Sequence, residues 1–128
     1  GAFRNDPPLS HVTTFGGHPV SCAAARATLR VIQQEQLPAR AQWIEDVVRD
    51  LLVHPSIVEI RGRGAMLGMQ LTDAELTARA VAACREHGVL LGWTLHSNSL
   101  VRVAPPLNIS ETALKDALGV ILDALNAG

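Results

Sequence analysis

Two β-rich runs, residues 57–60 and 65–71, stand on either side of Arg61-Gly62-Arg63-Gly64. Glycine is the residue that a tight reversal accepts without steric cost. Apolar runs separated by so short a glycine-bearing segment pair with each other as a hairpin. Hairpin strands are antiparallel, so the long crossover of a parallel sheet is not needed here. This directs the chain toward a locally paired sheet with helices on one face, and away from a doubly wound one.

The flanking segments agree. A helix is predicted from Pro19, because proline suits a first helical turn and Val20, Ala23, Ala24, Ala27, Val31 and Ile32 fall near one face. The alanines on that face imply close approach to another backbone. After a break at residues 36–38, a second helix carries Trp43, Ile44, Val47, Val48, Leu51 and Leu52 inward and stops near His54-Pro55. Beyond the hairpin, Thr72 and Glu75 are spaced as a capping box before a third helix with Leu76, Ala80, Val81 and Cys84 inward. Gly88 stands where a left-handed residue closes it. Residues 89–93 and 100–103 read as two strands around the polar loop His96-Ser97-Asn98-Ser99. Ser110 caps a last helix whose stripe is Leu114, Leu118, Ile121, Leu122 and Leu125. The expected class is α+β, a small antiparallel or mixed sheet of about four strands covered by helices.

Composition removes several functions. A length of 128 residues with 48% hydrophobic and 18% charged residues suits a packed domain. A net charge of -1 offers no footprint for nucleic acid. No apolar run approaches the ~18 residues of a membrane span, and residues 1–10, polar and bearing Pro7-Pro8, do not read as a secretory signal. The start in an extended segment rather than at Met suggests a fragment or a processed chain. Cys22 and Cys84 form no CxxC pair, so free thiols in a reducing cytoplasm are expected.

Three motifs could carry chemistry. In His11-Val12-Thr13-Thr14-Phe15-Gly16-Gly17-His18-Pro19, two hydroxyls and a glycine pair precede a helix start, where free amides and the helix dipole favour an anion. An ordinary loop before a helix would look the same. Arg61-Gly62-Arg63-Gly64 reads as a hairpin turn with two solvated arginines, since its glycines lie between strands and match no nucleotide fingerprint. In Leu100-Val101-Arg102-Val103-Ala104-Pro105-Pro106-Leu107, an arginine centred in an apolar strand calls for a partner. That partner could be a ligand carboxylate held bidentately or a structural ion pair, or the arginine could face water on an edge strand. His11, His18 and Cys22 match no zinc spacing, so no metal site is expected. No GxSxG elbow is present.

In order and spacing, these motifs resemble the C-terminal part of class III (ornithine/acetylornithine type) pyridoxal-phosphate aminotransferases. The family pattern H-x-[ST]-T-[FY]-G-G-N-P, the helix start Pro19-Val20-Ser21-Cys22-Ala23, R-G-x-G-x-x-x-G and R-x-x-P-P-L all have counterparts here. The resemblance implies a fold type I homodimer that moves an amino group between an amino acid and a 2-oxo acid. It implies that Thr14, with Thr13 beside it, reaches the phosphate of pyridoxal 5'-phosphate held by the other subunit. It also implies that Arg102 clamps a substrate carboxylate. Residues 1–36 would close the cofactor-bearing domain and supply the connecting helix, and 37–128 would form the small C-terminal domain. His18 departs from the family's Asn. The family's Schiff-base lysine lies upstream of the T-[FY]-G-G loop, and the sole lysine here, Lys115, reads as a solvated residue of the last helix. The chain alone is therefore expected to be inactive. Two other functions fit the residues without the resemblance: a stand-alone module that binds a small carboxylate through Arg102, and a structural dimerisation domain.

Overall fold

The computed structural model describes residues 13–94 and 96–127. The chain divides into two units, Gly1–Glu35 and Gln36–Gly128. The loop expected over residues 1–18 is described from Thr13 onward, and its first twelve positions, His11 included, lie outside the described residues.

In the first unit, helix α1 spans Pro19–Gln34 with proline in its first turn, as its sequence predicts. None of its residues is buried, and Val20 and Leu29 are 71% and 60% exposed. The division falls where Gln36 takes a left-handed conformation at φ 52. A non-glycine residue adopts that conformation only in a sharp reversal.

The second unit opens with α2 (Leu37–Leu51), followed by β1 (Ile57–Arg63), β2 (Met66–Leu71), α3 (Ala74–Glu86), β3 (Gly92–Thr94), β4 (Ser97–Val103) and α4 (Glu111–Asn126). The four strands form one sheet in the order β1-β2-β4-β3, with every neighbouring pair antiparallel. The expected α+β class holds, and the sheet has no parallel pairing among the described residues.

Side-chain alternation along β2 and β4 decides where the core sits. Leu67, Met69, Leu71, Val101 and Val103 are all buried, as period-two residues on a covered face must be. They pack with Ile44 and Val48 of α2, Leu76, Ala80 and Cys84 of α3, and Leu114, Leu118, Ile121 and Leu125 of α4. Burial lifts the Cys84 thiol pKa above its ordinary value, so that thiol stays protonated and inert. Among the described residues Thr77 is the one buried polar residue, and its hydroxyl donates to the Asp73 carbonyl at 2.6 Å.

Four local expectations shift. The hairpin turn is not Arg61-Gly62-Arg63-Gly64: β1 continues to Arg63, and only Gly64 and Ala65 link the strands, with Gly64 at φ 60. Two-residue hairpin loops favour a glycine at this first central position. Ser97, Asn98 and Ser99 are strand residues rather than loop, because β4 pairs with β3 from Ser97 on, whereas residues 89–91 precede β3. The N-cap of α3 is Asp73 rather than Thr72: its carboxylate accepts from Leu76 N–H at 2.8 Å, and a charged acceptor at a helix start outcompetes a neighbouring hydroxyl. Leu51, expected inward, is 40% exposed at the end of α2. Gly88 at φ 82 and the Ser110 cap on α4 follow the sequence.

Helix α2 also closes the open edge of the sheet. Arg49 donates to the carbonyls of Ile60 (2.5 Å) and Gly62 (3.2 Å), both on the unpaired side of edge strand β1. Covered edges cannot recruit another strand. Glu45 completes the brace, accepting from Arg49 Nε at 2.9 Å and from the turn amide of Gly64 at 2.6 Å. The Gly64 amide first, and Arg49 second, hold the Glu45 carboxyl below its ordinary pKa.

A group with a depressed folded-state pKa stabilises the fold at neutral pH and loses that contribution as pH falls through its folded value. Glu45→Gln is therefore expected to lower the urea midpoint at neutral pH. The gap from wild type should narrow as pH falls below the ordinary glutamate value of about 4.3 and on through the lower folded-state value, below which the carboxylate is protonated in both states. Asp73 and Glu111, also depressed, remain in both proteins and cancel. A gap that does not change with pH would show that the Glu45 charge is not what braces the turn.

Candidate functional site

The Thr-Thr-Phe-Gly-Gly loop is built from two successive reversals. Gly16 N–H donates to the Thr13 carbonyl at 3.2 Å, and His18 N–H to the Phe15 carbonyl at 3.1 Å. A Cβ on Gly16 would stand 2.7 Å from the Thr13 hydroxyl, which would have to turn aside, and Gly17 adopts φ 80. Thr13 and Thr14 are exposed. His18, the N-cap of α1, makes no side-chain capping bond. The first intrahelical bond runs from Cys22 N–H to the His18 carbonyl, which leaves the Val20 and Ser21 amides without intrahelical partners. No acidic residue lies in the first turn to offset the helix dipole. Hydroxyls, free amides and the positive end of a 16-residue helix are the donor set that a phosphate monoester takes. The residues present therefore fit a phosphate group.

Arg102 lies in the second unit, on the sheet face opposite the core. The register pairs Met69 with Val101 and Leu67 with Val103, all buried, so the alternate residues Gly68 and Arg102 point away from the helices. Strand β4 is flanked by β2 and β3, and Arg102 is exposed. Among the described residues it makes no ion pair. Arg102 is in no ion pair with the described residues and is not on an edge strand, yet it does face solvent. It is an available guanidinium on the open face of a central strand.

Across that face, the row through Arg102 reads Arg61, Gly68, Arg102, Gly92 from β1 to β3. Arg61 Nη1 is held by Glu59 at 2.6 Å, so the pair is close to neutral. The Pro105-Pro106-Leu107 segment that follows β4 is tied to α2 by Arg40. Its Nη2 donates to the Ile109 carbonyl at 2.6 Å, and its guanidinium sits 3.6 Å from the Trp43 ring centre.

Lys115 lies on α4, exposed and paired with Glu111 at 2.7 Å.

A family model described as aminotransferase class-III matches residues 3–125. The chain belongs to the class III aminotransferases. It is 40% identical over 123 residues to the acetylornithine aminotransferase of Corynebacterium efficiens, covering 94% of this chain and 30% of that protein. It is 42% identical over 115 residues to ornithine aminotransferase 2 of Staphylococcus aureus, covering 87% of this chain and 28% of that protein. An ornithine aminotransferase structure from Toxoplasma gondii, with pyridoxal phosphate at partial occupancy, superposes with a TM-score of 0.79 and 33% identity. There the match covers 94% of this chain and 30% of the other. The chain therefore spans about 30% of the length of the class III relatives it matches. Among the described residues no helix is long and apolar enough to cross a membrane.

Sequence reasoning missed the brace of Glu45 and Arg49 and the glycines flanking Arg102. The Glu45–Arg49 spacing is visible as a helical pair, but nothing local reveals that both side chains also reach the hairpin. Gly68 and Gly92 become neighbours of Arg102 only once the strand order is known.

Proposed function

We propose that this chain is the C-terminal portion of a pyridoxal-phosphate-dependent transaminase that exchanges an amino group between an amino acid and a 2-oxo acid, working as a cytoplasmic homodimer. The exposed guanidinium of Arg102, on the open face of a central strand, carries the reading. In that role it holds a substrate carboxylate bidentately and fixes the orientation of the amino acid. Thr14, assisted by Thr13 and the free amides at the start of α1, would hold the cofactor phosphate from the neighbouring subunit. When bound, pyridoxal phosphate supplies the electron sink that transamination requires. Residues 1–36 would then belong to the end of the cofactor-bearing domain with its connecting helix, and 37–128 to the small domain.

The one lysine of this chain, Lys115, pairs with Glu111 on the surface of α4, and it is not assigned the part of the lysine that holds the cofactor covalently. The isolated chain is accordingly expected to show no turnover. The check is a transamination assay of the purified chain with added pyridoxal phosphate, offering ornithine, acetylornithine and 4-aminobutyrate in turn with a 2-oxo acid. Turnover, or a cofactor absorbance band that survives dialysis, would overturn the inactivity of the chain.

A further inference from the structure

We propose that Gly92 is a positioning residue for Arg102, and that it sets the side from which a carboxylate reaches the guanidinium. The proposal rests on the reading of Arg102 as a carboxylate contact.

Arg102 has a glycine beside it on each neighbouring strand, Gly68 on β2 and Gly92 on β3. The two lanes differ. A Cβ on Gly68 would stand 3.2 Å from Leu100 Cδ1 and 3.8 Å from Arg61 Cγ, so that lane is already filled by other side chains. A Cβ on Gly92 would stand 3.0 Å from Arg102 Nη2, 3.1 Å from Nε and 3.4 Å from Cζ. The guanidinium itself thus lies across Gly92, in the only one of the two lanes left open to it. Leu100 and Arg61 block the alternative by bulk, and Glu59 offsets the charge of Arg61, so the steering is chiefly steric.

A planar guanidinium held in one place by its floor presents its fork to a carboxylate with less rotamer freedom left to lose. A Cβ at position 92 would crowd that floor at 3.0–3.4 Å, so the fork would have to shift by a few tenths of an ångström, and a larger side chain would displace it further. Gly92 lies outside the left-handed region, so alanine suits its backbone and the effect falls on Arg102.

The test uses the labelled chain and the side-chain Nε–H resonance of Arg102. In wild type, a nuclear Overhauser contact between Arg102 Nε–H and the Gly92 α-protons is expected without any ligand, and titration with acetate should shift the Arg102 resonance saturably. In Gly92→Ala the midpoint of that titration should weaken roughly threefold or more, with the core amides of Met69 and Val101 unmoved. Gly119→Ala, in α4 with open space around it, should leave both readouts unchanged. Absence of the contact in wild type, or an unchanged acetate midpoint in Gly92→Ala, overturns the role of Gly92. A wild-type Arg102 resonance indifferent to acetate, with the contact present, instead overturns the carboxylate reading and the proposal with it.

Discussion

An enzyme assembled from this chain and the remainder of a class III relative is expected to lose roughly 10- to 150-fold in kcat/KM when Arg102 becomes alanine. This corresponds to the about 1.5–3 kcal/mol of hydrogen bonds to a charged group. The carboxylate is held alike in substrate and transition state, so most of the loss should fall on KM. Arg102→Lys keeps the charge but not the planar fork, and is expected to recover only part of the affinity. Because Arg102 is exposed and makes no ion pair among the described residues, neither change should lower the thermal midpoint appreciably. That separates loss of recognition from loss of fold. Steady-state kinetics across a substrate series reads the effect directly, and an unchanged KM would mark Arg102 as an ordinary surface residue.

Gly62→Ala is expected to be among the most destabilising single changes in the sheet. Gly62 sits at φ 118, a conformation L side chains rarely adopt, and a Cβ there would lie 2.3 Å from the Met66 carbonyl oxygen and 3.0 Å from Leu67 Cα. Both are backbone atoms of the partner strand, where Leu67 pairs with Gly62 and Met66 with Arg63, and cannot swing aside as a side-chain end could. Strain and overpacking together should cost about 2–4 kcal/mol. With a urea slope of about 1–3 kcal/mol/M for a small domain, the midpoint should fall by at least about 0.7 M. The Gly62 carbonyl also accepts from Arg49, so a distorted strand would loosen the α2 brace as well. A midpoint within error of wild type would show that β1 can shift register at this point.

Much of the fold was legible because local signals sufficed for it. Pro19, Gly88 and Ser110 each mark a boundary by local chemistry that needs no tertiary partner, and the β-rich character of residues 65–71 was local too, whereas the burial of Leu67, Met69 and Leu71 but not Met66 depends on which sheet face the helices cover. The shifts came where neighbouring residues competed for one role: Asp73 displaced Thr72 as the cap, and strand pairing carried β1 through Gly62 to Arg63. For the site, Arg102 was visible as a cation in an apolar strand, and the Thr-Thr-Phe-Gly-Gly loop as a glycine-bearing lead into a helix start that would suit an anion. What could not be read was the setting of Arg102. Its exposure depends on which sheet face the helices cover, and its direction depends on glycines 34 and 10 positions away along the chain.

The most direct measurement joins this chain to the part of the Corynebacterium efficiens acetylornithine aminotransferase that lies outside the matched 30%. Its spectrum and its transamination rate with a 2-oxo acid are then recorded. A folded chimera that retains a cofactor absorbance band through dialysis and transaminates is the expected outcome, with the rate dependent on Arg102. A chimera that folds and keeps the band, yet neither transaminates nor responds to Arg102→Ala, would contradict a role for this chain in completing an aminotransferase active site.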